Sequence, residues 1–239
     1  MKQLPNALTL ANLFCGCCAF VFVLYGEPVI AAMLTGASLV FDYLDGMVAR
    51  ALGVSSPIGK ELDSLADVIS FGAVPGAMIF QLLTDGQTII QQGEGFKMIS
   101  FVGFPAFILS AFSGYRLAKF NLDTRQGNYF IGLATPACTM FVLGLHLAHH
   151  YNRFGLAEMI ANQWFLYALV IVLSWLLVSE IPMYGMKIKR ADLASNVLNI
   201  AFVALFIVLV IILKELALSV IILSYVLLSL FSRNKILSN

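Results

Sequence analysis

Eight apolar runs, each roughly the length of a bilayer-spanning helix, follow one another along this 239-residue chain with only short charged or turn-rich segments between them. A helix crossing a hydrocarbon core of about 30 Å needs about 20 such residues. A chain built of repeated runs of that length has one economical solution, a bundle of membrane-embedded helices, because helices satisfy their own backbone hydrogen bonds. The runs are Asn6 to Tyr25, Val29 to Leu52, Leu65 to Leu83, Ile99 to Leu117, Ile131 to Ala148, Trp164 to Glu180, Ser195 to Leu213 and Leu216 to Phe231. Only Lys214 and Glu215 separate the last two, which can equally be one broken helix. The reading is an all-α integral membrane protein of about eight transmembrane helices, one transmembrane domain over residues 1–239. Composition agrees: 60% of residues are hydrophobic and 11% charged, where soluble domains carry about 25% charged residues.

Charge placement sets the expected orientation. Eleven of the fourteen lysines and arginines fall on one side if the N-terminus is inside, and only Lys97, Arg153 and Lys214 fall on the other. Cations of short loops stay cytoplasmic, so both termini are expected there. A net charge of +1 provides no basic face for a polyanion and excludes nucleic acid as a partner. Cys15, Cys17, Cys18 and Cys138 lie within apolar runs and read as small buried residues, neither disulfides nor a zinc site.

Five of the thirteen acidic residues, Asp42, Asp45, Glu61, Asp63 and Asp67, fall within 26 positions. A carboxylate inside an apolar helix costs several kcal/mol unless it is paired or metal-bound. Asp42 and Asp45 are three apart and Asp63 and Asp67 four apart, so each pair shares one helix face. A hairpin loop over Ala51 to Leu62 can bring the two faces together. Four oxygen donors suit magnesium, manganese or calcium better than zinc. The competing reading pairs these aspartates with Arg50, Lys60 and the cluster around Arg116 as buried salt bridges.

Written out, the segment is Asp42-x2-Asp45-Gly46-x2-Ala49-Arg50-x8-Gly59-x3-Asp63-x3-Asp67. It resembles the signature of the CDP-alcohol phosphatidyltransferase family at every defined position. Three further stretches are similar to the bacterial and archaeal phosphatidylserine synthase branch of that family: Leu4 to Gly16, Glu61 to Gly72 with Pro75, and Arg116 to Asn121. Ala134 departs from the proline expected in Gly132 to Pro136. The likeness covers about the first 140 residues.

The resemblance implies a core of six membrane helices, residues 1–180, around a cytoplasm-facing polar cavity, in a homodimeric assembly in the cell membrane; the last two apolar runs, over 195–232, are then two additional C-terminal helices outside the likeness. It implies transfer of a phosphatidyl group from CDP-diacylglycerol to an alcohol, here L-serine, with release of CMP and dependence on magnesium or manganese, two ions per site. Carried over by position, Asp42, Asp45, Asp63 and Asp67 are metal ligands, and Asp67 also takes the proton from the acceptor hydroxyl. Gly46, Ala49, Arg50 and Gly59, with Asn6 and Thr9 from the first helix, are candidates for the CDP-lipid. Arg116, Asn121, Ser70 and Arg125 are candidates for serine, the arginines because a guanidinium meets a carboxylate bidentately.

Other acceptors, glycerol 3-phosphate or inositol phosphate, would call for more cations in the pocket. From another class, a divalent-cation transporter also places aspartates in the membrane, but would need polar residues along a path to the outer side. His146, His149 and His150 share a face at metal-like spacing and are expected as an interfacial cluster on the outer side.

Overall fold

The computed structural model describes residues 3–54, 56–84, 101–123, 130–183 and 208–231. Within them the chain is an all-α membrane protein. Its helices are α1 (Leu4–Leu24), α2 (Pro28–Leu52), α3 (Pro57–Val68), α4 (Val74–Leu83), α5 (Phe107–Leu122), α6 (Thr135–His150), α7 (Ala157–Ile160), α8 (Gln163–Val178) and α9 (Ala217–Phe231). Among the described residues, five continuous helical stretches are long and apolar enough to cross a membrane: Leu4–Leu24, Pro28–Leu52, Pro57–Leu83, Phe101–Leu122 and Val208–Phe231. Gln163–Val178 is a shorter apolar helix. Large side chains such as Phe14, Met33, Ile171 and Trp175 lie exposed on the outside, as a lipid-facing surface allows.

The expected loop over Ala51 to Leu62 is much shorter in the structure. Gly53 ends α2 in the left-handed conformation, φ +62°. The amides of Gly53 and Val54 close back onto the Arg50 and Ala49 carbonyls, a glycine-dependent C-terminal cap. Ser56 then starts α3 by accepting the Gly59 amide at 3.0 Å, with Pro57 in the first turn. The charges Lys60, Glu61 and Asp63 mark the polar first turns of a helix, not a loop.

The rod Pro57–Leu83 contains one π-helical turn, Ile69–Ala73. Pro75 has no N–H to donate, and the Phe71 carbonyl four residues before it accepts the Thr139 hydroxyl of α6 at 3.1 Å. Gly72 packs closely against α5: Ser110 donates to the Gly72 carbonyl at 2.7 Å, and a Cβ at Gly72 would stand 3.2 Å from the Ser113 Cβ. On the other side, α1 crosses the π turn where Gly16 meets Ser70, leaving no room for a Cβ. Gly16→Ala is therefore expected to push α1 off this turn and to cost about 1–3 kcal/mol. A fall in thermal stability in detergent, with a parallel loss of activity, checks it.

Two features were absent from the sequence reading. Phe130–Ile131 pairs antiparallel with Pro182–Met183. Gly132 beside it has φ +73° and sits where a Cβ would lie 2.8 Å from the Leu177 carbonyl oxygen, which only glycine tolerates. The fourth run extends as helix past Leu117 to Leu122, so Lys119 belongs to α5 with Arg116 and not to the segment after it.

Of the cysteines, Cys15 and Cys138 are buried but Cys17 is exposed, a small apolar residue at the lipid-facing surface. His146 is buried, its Nε2 2.6 Å from Gln81 Oε1, and it lines one small cavity together with His149 and His150. Most of the seventh run, and Arg125, lie outside the described residues. Residues 208–213 are helical, and the chain turns at Lys214, φ +52°, before α9.

Candidate active site

The site is assembled where the N-terminal half of α1 meets the end of α2 and the start of α3. Asp42 and Asp45 are on α2, and Asp63 and Asp67 on α3. The short Gly53 to Ser56 connection turns the chain so that α2 and α3 both pack on α1 with their acidic faces towards each other. One carboxylate oxygen from each of Asp42, Asp63 and Asp67 lies within 4.8 Å of the others. Asp45 stands beside this group: its charge acts on Asp42 and Asp63, while its Oδ2 accepts the Thr9 hydroxyl at 2.5 Å.

The donor set fits a divalent cation. Asp63 Oδ1 is buried without a hydrogen-bond partner, and three partly buried carboxylates at this spacing repel one another unless a positive charge stands among them. All the donors are hard oxygens, as magnesium or manganese requires. Among the described residues no lysine or arginine forms a direct ion pair with these aspartates: the ion pairs found there are Lys119 with Glu180 at 3.7 Å and Arg153 with Glu215 at 2.6 Å.

A cavity of about 580 Å³ opens beside the cluster. Of the candidates for the CDP-lipid, Asn6, Thr9, Gly46, Ala49 and Gly59 line it together with Asp45 and Asp63. The Arg50 guanidinium folds back beside Gly46, where a Cβ would lie 3.2 Å from its Nη1. A Cβ at Gly59 would stand 2.9 Å from Ser56 Oγ and 3.1 Å from Asn6 Oδ1, so the glycine lets the first turn of α3 approach α1 at the cavity wall. Lys60 also lines the cavity, and its Nζ donates to the Asn121 carbonyl at 3.3 Å.

Behind the carboxylates a polar seam ties three elements to α1. Asn12, fully buried, donates to Asp67 Oδ1 at 3.3 Å. Its backbone carbonyl accepts Ser38 of α2 at 3.1 Å and Ser70 of the π turn at 3.2 Å, and its side-chain oxygen also accepts Ser38. Ser38 was not singled out from the sequence. It lies four and seven residues before Asp42 and Asp45, on the same face of α2, and that periodicity is the signal that identifies it.

The serine candidates are not gathered in one place. Arg116 is buried at 7% exposure, its guanidinium 5.5 Å from the Phe120 ring centroid and its Nη1 3.5 Å from Thr135 Oγ1. Its Nε has no hydrogen-bond partner, and it lies within electrostatic reach of Asp67. Asn121 is held to Ser64 at 2.7 Å. Ser70 is engaged by the Asn12 carbonyl and pressed against Gly16. Both join helices.

Comparison with known proteins agrees with this geometry. A family model described as CDP-alcohol phosphatidyltransferase matches residues 2–176, well past the point near residue 140 where motifs are readable. The chain is 31% identical over 232 residues to the CDP-diacylglycerol–serine O-phosphatidyltransferase of Mycobacterium leprae, covering 94% of this chain and 72% of the relative. It is 31% identical over 203 residues to the protein of that name from Helicobacter pylori, covering 84% and 80%. A third relative, 31% identical over 156 residues and covering 64% and 62%, is the archaetidylserine synthase of Methanothermobacter thermautotrophicus. The relatives are enzymes and not cation transporters, and the chain belongs to the CDP-alcohol phosphatidyltransferase family.

Proposed function

We propose that the protein is a phosphatidylserine synthase, transferring the phosphatidyl group of CDP-diacylglycerol to the hydroxyl of L-serine and releasing CMP. The observation that carries this reading is the meeting of Asp42, Asp63 and Asp67 beside a cavity walled by the remaining signature residues. Relatives named for a serine acceptor support the choice of alcohol.

The CDP-lipid lies in the cavity with its nucleotide end against Asn6, Thr9, Gly46, Ala49 and Gly59, and with Arg50 at its edge. Two divalent ions, magnesium or manganese, held by Asp42, Asp45, Asp63 and Asp67, would supply charge neutralisation for the diphosphate and the leaving CMP. Asp67 takes the proton as the serine oxygen bonds to the phosphorus that carries diacylglycerol. The bond from that phosphorus to the bridging oxygen breaks, and its electron pair leaves on CMP. Asn12 fixes the Asp67 carboxylate through the 3.3 Å hydrogen bond, so its basicity is used by position. Arg116 receives the serine carboxylate, which matches a buried guanidinium with an unpartnered edge.

The site opens to the cytoplasm, where serine and CDP-diacylglycerol meet, in a homodimer embedded in the cell membrane. Residues 1–180 are the catalytic core, and the helices within 195–232 are an addition to it.

Incubating purified protein in CDP-diacylglycerol micelles with labelled serine, in competition with unlabelled glycerol 3-phosphate or inositol phosphate, tests the acceptor. Label is expected in a lipid whose formation neither competitor suppresses. A lipid formed only with one of the phosphorylated alcohols would keep the chemistry and overturn serine.

A further inference from the structure

Each acidic helix has one carboxylate held by α1. Thr9 donates to Asp45 of α2, and Asn12, three residues on and on the same face, donates to Asp67 of α3. The two grips differ in kind. The Thr9 hydroxyl rotates to suit its acceptor and has two within reach, Asp45 Oδ2 at 2.5 Å and the Pro5 carbonyl at 3.1 Å. The Asn12 amide instead carries a donor end and an acceptor end fixed on one plane. Turned one way it donates to the carboxylate, and turned the other it sets oxygen against oxygen. With Asn12 fully buried, the group on its far side decides how firmly the donor end faces Asp67.

That group is Ser38 of α2. Its hydroxyl donates to the Asn12 side-chain oxygen and is shared with the Asn12 main-chain carbonyl at 3.1 Å, which Ser70 also serves at 3.2 Å. An amide oxygen engaged by α2 leaves the amide N–H groups for α3, where Nδ2 stands 3.3 Å from Asp67 Oδ1. The hydrogen bonds therefore run in one direction, from Ser38 to Asn12 to Asp67, and each donor polarises the next. Ser38 is itself fully buried and is not part of the cavity wall, so it stands at one remove from the substrates.

We infer that Ser38 is a positioning residue for Asp67: by holding the Asn12 side-chain oxygen it turns the amide N–H towards the carboxylate and sets the direction in which Asp67 meets the acceptor hydroxyl. This rests on the reading of Asp67 as the group that takes the acceptor's proton.

Steady-state kinetics at saturating manganese test it, on the full-length protein and on Ser38→Ala, Asn12→Ala, the double variant and Asp67→Asn. Ser38→Ala is expected to lower kcat about tenfold, the net worth of one hydrogen bond, with KM for serine and for CDP-diacylglycerol near their wild-type values. Because Ser38 acts through Asn12, the double variant is expected to be no slower than Asn12→Ala alone. Falls in kcat that multiply in the double variant overturn the inference, since two independent residues would behave so. A raised KM for both substrates in Ser38→Ala, with lowered thermal stability in detergent and an unchanged kcat, assigns the serine to helix packing and overturns it too. A wild-type kcat in Ser38→Ala beside an inactive Asp67→Asn overturns the role of Ser38 and leaves that of Asp67. Turnover that survives in Asp67→Asn removes the reading of Asp67, and this inference falls with it.

Discussion

Asp67→Asn is expected to abolish turnover while CDP-lipid binding survives in part. Asparagine keeps the shape of the side chain and a carbonyl to receive Asn12, but it cannot take the proton from the attacking hydroxyl. Loss of a positioned general base typically costs about 10²–10⁴-fold in rate, and here a ligand charge goes with it, so a fall of at least about 10³-fold is expected. The cavity residues Asn6, Thr9, Gly46, Ala49 and Gly59 are untouched, which is why binding persists. Rates measured beside equilibrium binding of CDP-diacylglycerol separate the two, and added manganese should not restore the rate.

Asp42→Asn is expected to fail differently. Asp42 donates one of the three oxygens within 4.8 Å and has no proton to move, so its loss weakens metal binding first. The metal concentration for half-maximal activity should rise by more than the ~10–100-fold that loss of a mere supporting partner costs, and activity should return in part at high manganese. Equal loss of CDP-lipid binding in both variants would contradict the division of roles.

The acidic centre was legible in the sequence for a physical reason. A carboxylate within an apolar run is expensive, and helical spacing says which carboxylates share a face, so Asp42, Asp45, Asp63 and Asp67 could be brought together on paper; the structure gathers three of them within 4.8 Å and leaves Asp45 beside them. The caps at Gly53, Ser56 and Pro57 went unread, although these are residue types that end one helix and begin the next. The boundaries were misjudged, because the polar first turns of α3 were assigned to a loop and the fourth run was ended at Leu117 although α5 continues to Leu122. A hydropathy run records where lipid begins, whereas a helix ends where its backbone is capped.

What periodicity could not supply was partnership across helices. Nothing local tells that Asn12 will bond Asp67 or that Gly16 will face Ser70, because such pairs depend on how α1 crosses the π turn. The same holds for His146, whose burial against Gln81 comes from the packing of α4 on α6, and for the pairing of Phe130–Ile131 with Pro182–Met183.

In the proposed function the aspartate cluster drives transfer of a phosphatidyl group to serine. Its most direct test is CMP release from CDP-diacylglycerol by the purified protein, measured with and without serine, and with manganese or a chelator. Release that requires serine, stops with chelator and is lost in Asp67→Asn is the predicted result. Release at the same rate without serine, or undiminished by chelator or by Asp67→Asn, would contradict it.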